Sequence, residues 1–175
     1  VQEKITREER VYDGRVVHLA VLDVTLPNGE SAKRELVRHP GAVAIVPLIG
    51  EDVLLVRQFR IAADQVMLEI PAGTLNQGED PLVCAERELQ EETGYKPGTL
   101  EKLGGIYVAP GYTTEYIHLF VARDLSESRL AMDDDEFIEL VRVPLRAALE
   151  MLHTGEIIDG KSAAGLLMVA RQLGV

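Results

Sequence analysis

Tryptophan is absent and cysteine occurs once among 175 residues. A single thiol, Cys84, closes no internal disulfide, which excludes a disulfide scaffold and suits a reducing, cytoplasmic setting. Positive charge is also scarce. Eighteen Lys and Arg face 29 Asp and Glu, for a net charge of −11. A surface of that sign repels polyanions and argues against nucleic acid as a partner. It leaves room for a small anionic substrate met by local arginines or a metal. Long apolar runs are missing. The longest, Gly41 to Gly50, contains Pro47 and is too short to span a bilayer, so no membrane partner is expected. The opening VQEKITREER is charged and has no apolar core of the signal type, so no targeting segment is expected. Internal repeats, low-complexity tracts and linker-like stretches are lacking.

What remains is ordinary globular material, 46% apolar and 27% charged, long enough for a domain with a real core. Its first third reads as strands. Val16 to Leu26 alternates and ends in the turn Pro27-Asn28-Gly29, with Ser31 to Arg38 returning. GAVAIVPLIG and DVLLVRQFR flank Gly50-Glu51-Asp52 and read as a second, more buried hairpin. Met67 to Ile70 is a short strand before Pro71-Ala72-Gly73. Leu100 to Val108 and Tyr116 to Ala122 form a pair around Pro110-Gly111, and Phe137 to Val143 is a later strand. Pro144 opens a helix through Leu152, and an amphipathic helix runs from about Lys161 to Leu173. Strands in groups with helices between them argue an α+β or α/β chain.

The stretch Gly73 to Tyr95, GTLNQGEDPLVCAERELQEETGY, organises the rest. Asp80 is the expected N-cap, Pro81 the first helical residue and Gly94 the C-terminal stop. Leu82, Ala85 and Leu89 make an apolar stripe. Cys84, beside it, reads as packing. The other side carries Glu86, Glu88, Glu91 and Glu92, with Arg87 as the only cation. Glu88 and Glu92 stack one turn apart, an arrangement that destabilises a helix by roughly 0.2–0.5 kcal/mol. A hard divalent cation, Mg²⁺ or Mn²⁺, reverses that sign. The competing reading is an acidic, solvated face. Gly73 fits a position needing unusual dihedrals or a close approach.

Gly73, Glu79 and the run Arg87-Glu88-Leu89-Gln90-Glu91-Glu92-Thr93-Gly94-Tyr95 match the pattern G-x5-E-x7-R-E-U-x-E-E-x-G-U without a mismatch. The chain thereby resembles the Nudix hydrolases. The resemblance implies a Nudix fold, a mixed sheet sandwiched between helices. It makes Glu88 and Glu92 metal ligands, with the Ala72 carbonyl completing the shell. Glu91 lies about 100° further round the helix and falls to a second metal or to the water. Glu79 and Arg87 are expected to brace loop against helix.

Outside that pattern, Pro110 in YVAPGYTTEY resembles the ADP-ribose pyrophosphatase subfamily. This places Ala109, Gly111 and Glu115 near substrate, Ala109 standing where a serine is frequent. A plain turn is the other reading. Arg34-Glu35 and Arg57-Gln58-Phe59-Arg60 also resemble the subfamily. Arg60 is assigned to the diphosphate, Arg34 and Glu35 to the adenosine end, and Thr74 to the substrate. Arg38 and Arg57 are divided between substrate and solvent. In the acidic loop Met132 to Glu136, the resemblance makes Glu136 general base or extra metal ligand, and Asp134 a weaker candidate. His118 reads as a strand histidine, and His39 adjoins Pro40-Gly41. Tyr12, Phe59 and Tyr112 are the candidates to stack on adenine.

The reading is therefore a Mg²⁺-dependent enzyme hydrolysing ADP-ribose to AMP and ribose 5-phosphate. Residues 1–40 form an antiparallel strand region for dimerisation and substrate contact, and residues 41–175 the Nudix domain. A cytoplasmic homodimer acting on a small nucleoside diphosphate sugar is expected. The alternatives are another such sugar (GDP-mannose, ADP-glucose), a non-catalytic ligand-sensing module, or cleansing of oxidised nucleoside triphosphates.

Overall fold

The computed structural model describes residues 1–131 and 137–175. The chain divides into two compact units, one of Val1–Gly41 with Tyr107–Tyr116, the other of Ala42–Ile106 with Ile117–Val175.

The first unit is built on an antiparallel sheet of β1 (Lys4–Asp13), β2 (His18–Thr25) and β3 (Ser31–Arg38), in that order. In β2 the alternate residues Ala20, Leu22 and Val24 are buried, and Leu26, Ala32 and Leu36 pack on them. The turn after Leu26 closes where expected, with Gly29 at φ 88° and its N–H donating to the Leu26 carbonyl. The strand β1 falls within the strand region expected of residues 1–40, but its own sequence carries no strand signal. All ten of its residues are exposed, so KITREERVYD has no apolar alternation to betray it. Backbone pairing with β2 defines it, and cross-strand ion pairs such as Arg38 with Glu8 decorate it.

The second unit carries a seven-stranded mixed sheet. Its strands are β4 (Ala42–Ile49), β5 (Asp52–Arg60), β6 (Gln65–Glu69), β7 (Ala72–Thr74), β9 (Thr99–Tyr107), β10 (Tyr116–Arg123) and β12 (Glu139–Pro144). The main order is β12-β5-β4-β10-β9, with β6 on β5 and β7 on β4. The strand β4 runs parallel to β10 and antiparallel to its other neighbours. Two short strands, β8 (Tyr95–Lys96) and β11 (Ser126–Glu127), pair with each other.

Both faces of β4 are covered, which explains its unbroken apolar run. Val43 and Ile45 point to a core shared with Cys84, Ala85 and Leu89 of α1 (Pro81–Thr93). Ala44, Val46 and Leu48 point to the opposite core, which takes in Ala148 of α2 (Leu145–Thr154) and Leu166 and Val169 of α3 (Gly160–Leu173). The sheet thus lies between helices, as expected.

The hairpin expected of β4 and β5 is shorter than its sequence suggests. They pair only through Leu48–Val53 and Ile49–Asp52. Beyond that the edge of β4 is taken by β7, with Ala42 opposite Thr74 and Ala44 opposite Ala72. This splitting delivers the Ala72–Gly73 backbone to the sheet edge beside α1.

Candidate active site

The helix α1 begins as its sequence dictates. The Asp80 carboxylate accepts the Leu82 N–H at 2.8 Å, and Pro81 follows. Gly94 ends it in the left-handed region, φ 77°, donating to Gln90. The buried side differs from the expected stripe. Ala85 and Leu89 are on it, but Leu82, in the first turn, is exposed and Cys84 is buried instead.

The larger difference lies with the acids. Glu88 and Glu92 are 8% and 5% exposed, so the reading as a solvated acidic face fails for both. Burying charge is unfavourable unless something offsets it. For Glu92, the Ala72 N–H donates to Oε2 at 3.1 Å. For Glu88, the Arg87 guanidinium lies 2.7 Å from Oε1. The Glu88 carboxylate also presses on Gly73, where a Cβ would lie 1.9 Å from its Cδ. Gly73 is outside the left-handed region, so close approach rather than dihedral freedom requires it. Ala72, Gly73, Glu88 and Glu92 are therefore brought together.

Arg87 is the hub of a second group. Its Nε and Nη2 grip the two oxygens of Glu79, each at 3.1 Å, and Nη1 reaches Glu91 at 2.8 Å. The loop is thereby fastened to the helix through a bidentate pair. The Arg87 hydrogen bonds hold the Glu79 carboxyl down to about 2 from its ordinary 4.5, against the opposing effect of burial. The same bonds raise the guanidinium further. A depressed carboxyl contributes stability above its unfolded value and loses it as pH falls through the folded one. Glu79→Gln is expected to be less stable than wild type at pH 7, with the gap closing between about 4.5 and 2. Urea unfolding midpoints across that range measure it, and a gap constant with pH contradicts the assignment.

Burial, then the charges of Glu88 and Glu79, pushes the Cys84 thiol up to about 12. Such a thiol is an inert packing group. Native protein at pH 8 is expected to consume no thiol reagent over hours and one equivalent on unfolding, as followed by absorbance.

Arg60, on β5, places Nε and Nη2 on one oxygen of Glu69, at 3.0 and 2.6 Å. Lys161 Nζ meets that same oxygen at 3.1 Å and Asp159 at 2.9 Å. Sequence reasoning missed Glu69, Asp159 and Lys161. The signal was present: an acid inside the apolar run MLEIP, and a cation in the first turn of α3, where the helix dipole disfavours one. Thr74 ends β7, its carbonyl 3.8 Å from the Cys84 sulfur, and Phe59 is exposed on β5.

The remaining candidates lie in the first unit. Arg34 makes a forked pair with Glu3, at 3.1 and 2.5 Å. Glu35 is exposed on β3, as are Tyr12 on β1 and Tyr112. The Ala109 carbonyl accepts the N–H groups of Tyr112 and Thr113, each at 3.1 Å, making the turn around Gly111. Among the described residues, nothing beyond its two chain neighbours comes within 4 Å of where a Gly111 Cβ would be. The Glu115 N–H donates to Thr113 Oγ1. His39 Nδ1 accepts the Gly41 N–H. Glu136 and Asp134 lie outside the described residues.

Among the described residues, no three His, Cys, Asp or Glu side chains form a metal cage. A hard cation of the Mg²⁺ type does not need one. It uses one or two carboxylates and completes its shell with water and substrate phosphates. Glu88 and Glu92, with the Ala72 backbone beside them, are a donor set of that kind. No helix among the described residues is long and apolar enough to cross a membrane.

The model of the NUDIX domain matches residues 38–164. The chain is 43% identical to an ADP-ribose pyrophosphatase of Bacillus subtilis, over 93% of this chain and 90% of that protein. It is 45% identical to a methanol dehydrogenase activator of Bacillus methanolicus, over 92% and 89%. A GDP-mannose pyrophosphatase of Salmonella typhimurium is 40% identical over 80% of each. The crystal structure of an ADP compounds hydrolase superposes with a TM-score of 0.89, covering 99% of this chain and 95% of that one at 26% identity. Box residues, fold and relatives agree, and the chain belongs to the Nudix family.

Proposed function

We propose that this protein is a Mg²⁺-dependent pyrophosphatase that hydrolyses ADP-ribose to AMP and ribose 5-phosphate. One observation carries the reading: two carboxylates one helical turn apart, Glu88 and Glu92, are buried against Ala72 and Gly73. The B. subtilis relative directs the choice of substrate.

The divalent cation, when bound, screens phosphate charge and makes a water more acidic. Glu88, Glu92 and the Ala72 carbonyl would hold it. Arg87 fixes Glu88 and Glu91 in place, so little reorganisation is left for the moment of reaction. Water attacks one phosphorus, the bridging P–O bond breaks, and its oxygen leaves with the other phosphate. Glu91 is assigned to a second cation or to the water, and Glu136 to the role of base, with Asp134 secondary. Arg60 is assigned to the diphosphate and Thr74 to substrate contact. Arg34 and Glu35 are assigned to the adenosine end, Ala109 to substrate contact, the Gly111 backbone to a ribose or phosphate, and Glu115 to a metal-bound water. Residues 1–40 are assigned to pairing in a cytoplasmic homodimer. The exposed ten-residue edge β1 is a surface on which a second chain can add, and light scattering measures the mass.

Incubation with Mg²⁺ and a panel of nucleoside diphosphate derivatives tests the reading. ADP-ribose is expected to give the highest kcat/KM, with AMP as product. The GDP-mannose pyrophosphatase relatives support a second reading, in which GDP-mannose is preferred. The same panel decides between them, and no turnover of any member removes both.

A further inference from the structure

Four charged residues outside the Nudix pattern form a closed group in the second unit. Glu69 is 2% exposed at the end of β6, and one of its oxygens receives both Arg60 and Lys161. Asp159 holds Lys161 from the other side at 2.9 Å and caps α3 by accepting the Ser162 N–H at 3.0 Å. Ser162 Oγ in turn accepts the Ile70 N–H at 2.8 Å, one residue beyond Glu69. Three residues after Glu69 comes Ala72, whose N–H is on Glu92.

Burial works against the Arg60 charge, but the Glu69 hydrogen bonds and the charges of Glu69, Glu92 and Asp159 more than restore it. Glu92 is thus close enough to be felt by the guanidinium. Two cations therefore stand on one buried oxygen, and the Arg60 guanidinium also feels the charge of Glu92 on α1. Fold stability alone is a poor reason for such a group, because packed apolar residues serve as well or better. Nor is this the arrangement a helix start favours, since Lys161 opposes the α3 dipole.

We propose that Glu69 is a positioning residue: it fixes Arg60 and Lys161 as a spaced pair of cations that receive the two phosphoryl groups of the substrate. The Arg60 fork and the Lys161 ammonium differ in kind. A planar fork suits one phosphoryl group and a point charge the other. One Glu69 oxygen holds both and so orders two long side chains before substrate arrives, which lowers the entropy cost of binding. The inference rests on the reading of a diphosphate substrate, but not on its sugar.

The test is calorimetric binding of a methylene-bridged ADP, with Mg²⁺, to wild type, Glu69→Gln and Lys161→Met. Turnover of ADP-ribose is measured in parallel. Both variants are expected to bind the bridged diphosphate about tenfold more weakly, and AMP less than about threefold more weakly. KM for ADP-ribose rises about tenfold while kcat stays within about threefold, the signature of lost uniform binding. The double variant loses less than the two losses combined, because both act through one site. If Glu69→Gln does not fold, Lys161→Met alone carries the comparison. Binding within twofold of wild type in the folded variants, with only a lowered melting temperature, makes the group a brace and overturns the proposal. Wild type that binds the bridged diphosphate but hydrolyses no ADP-ribose overturns the functional reading instead. The positioning role then stands if the variants still bind it more weakly.

Discussion

Glu92→Gln is expected to lower kcat by about 10²–10³-fold while leaving the fold intact. The size follows from losing one of two buried carboxylates assigned to a divalent cation, a contribution of several kcal/mol at about 1.4 kcal/mol per tenfold. The substitution is close to isosteric. Gln keeps a side-chain oxygen able to accept the Ala72 N–H, so the contact that docks β7 on α1 survives. Stability should be unchanged or slightly higher, because a buried amide is cheaper to desolvate than a buried carboxylate. If the charge acts in the transition state, kcat and kcat/KM fall together. A variant within threefold of wild type, with melting unchanged, would mean that Glu92 is no ligand and that its burial serves some other end.

The places where the sequence spoke clearly are those where local chemistry decides. Asp80-Pro81 and Gly94 delimit α1 because caps and a left-handed stop depend on residue type alone. Pro27-Asn28-Gly29 marks its turn for the same reason. The spacing of Glu88 and Glu92 puts them one helical turn apart, and the family pattern says what such spacing is for. What could not be read was everything set by distant chain. Nothing local tells that Glu88 and Glu92 face inward. That follows from β7 arriving at the edge of β4, a consequence of the β4–β5 hairpin parting after two residue pairs. The stripe assigned to Leu82 moved to Cys84 because the first turn of α1 stands clear of the sheet core. The strand β1 gives no signal of its own because a fully exposed edge carries no apolar period. Glu69 and Lys161 lie 92 positions apart, and only the fold makes one site of them.

Gly73→Ala is the second large effect expected, and it separates activity from stability. The added Cβ would lie 1.9, 2.1 and 2.3 Å from the Cδ, Oε1 and Oε2 of Glu88. No carboxylate tolerates a methyl at that distance, so one of the two must move. The backbone of Gly73 is held in β7 opposite Val43, whereas the carboxylate is the far end of a flexible side chain. Glu88 therefore yields, and its displacement removes a donor from the pair. A loss of about 10²–10³-fold in kcat is expected, similar to losing a carboxylate outright. Overpacking of this kind costs about 1–3 kcal/mol, which lowers the melting temperature by about 2–12 °C in a chain of this size. The variant thus stays folded at 25 °C and is nearly inactive. The mechanism is checked by combining it with Glu88→Gln. If the methyl acts only by displacing that carboxylate, the double variant is no slower than Glu88→Gln alone, because the two changes share one site. Losses that multiply instead would show that Gly73 contributes through its own backbone, by its approach to substrate rather than to Glu88.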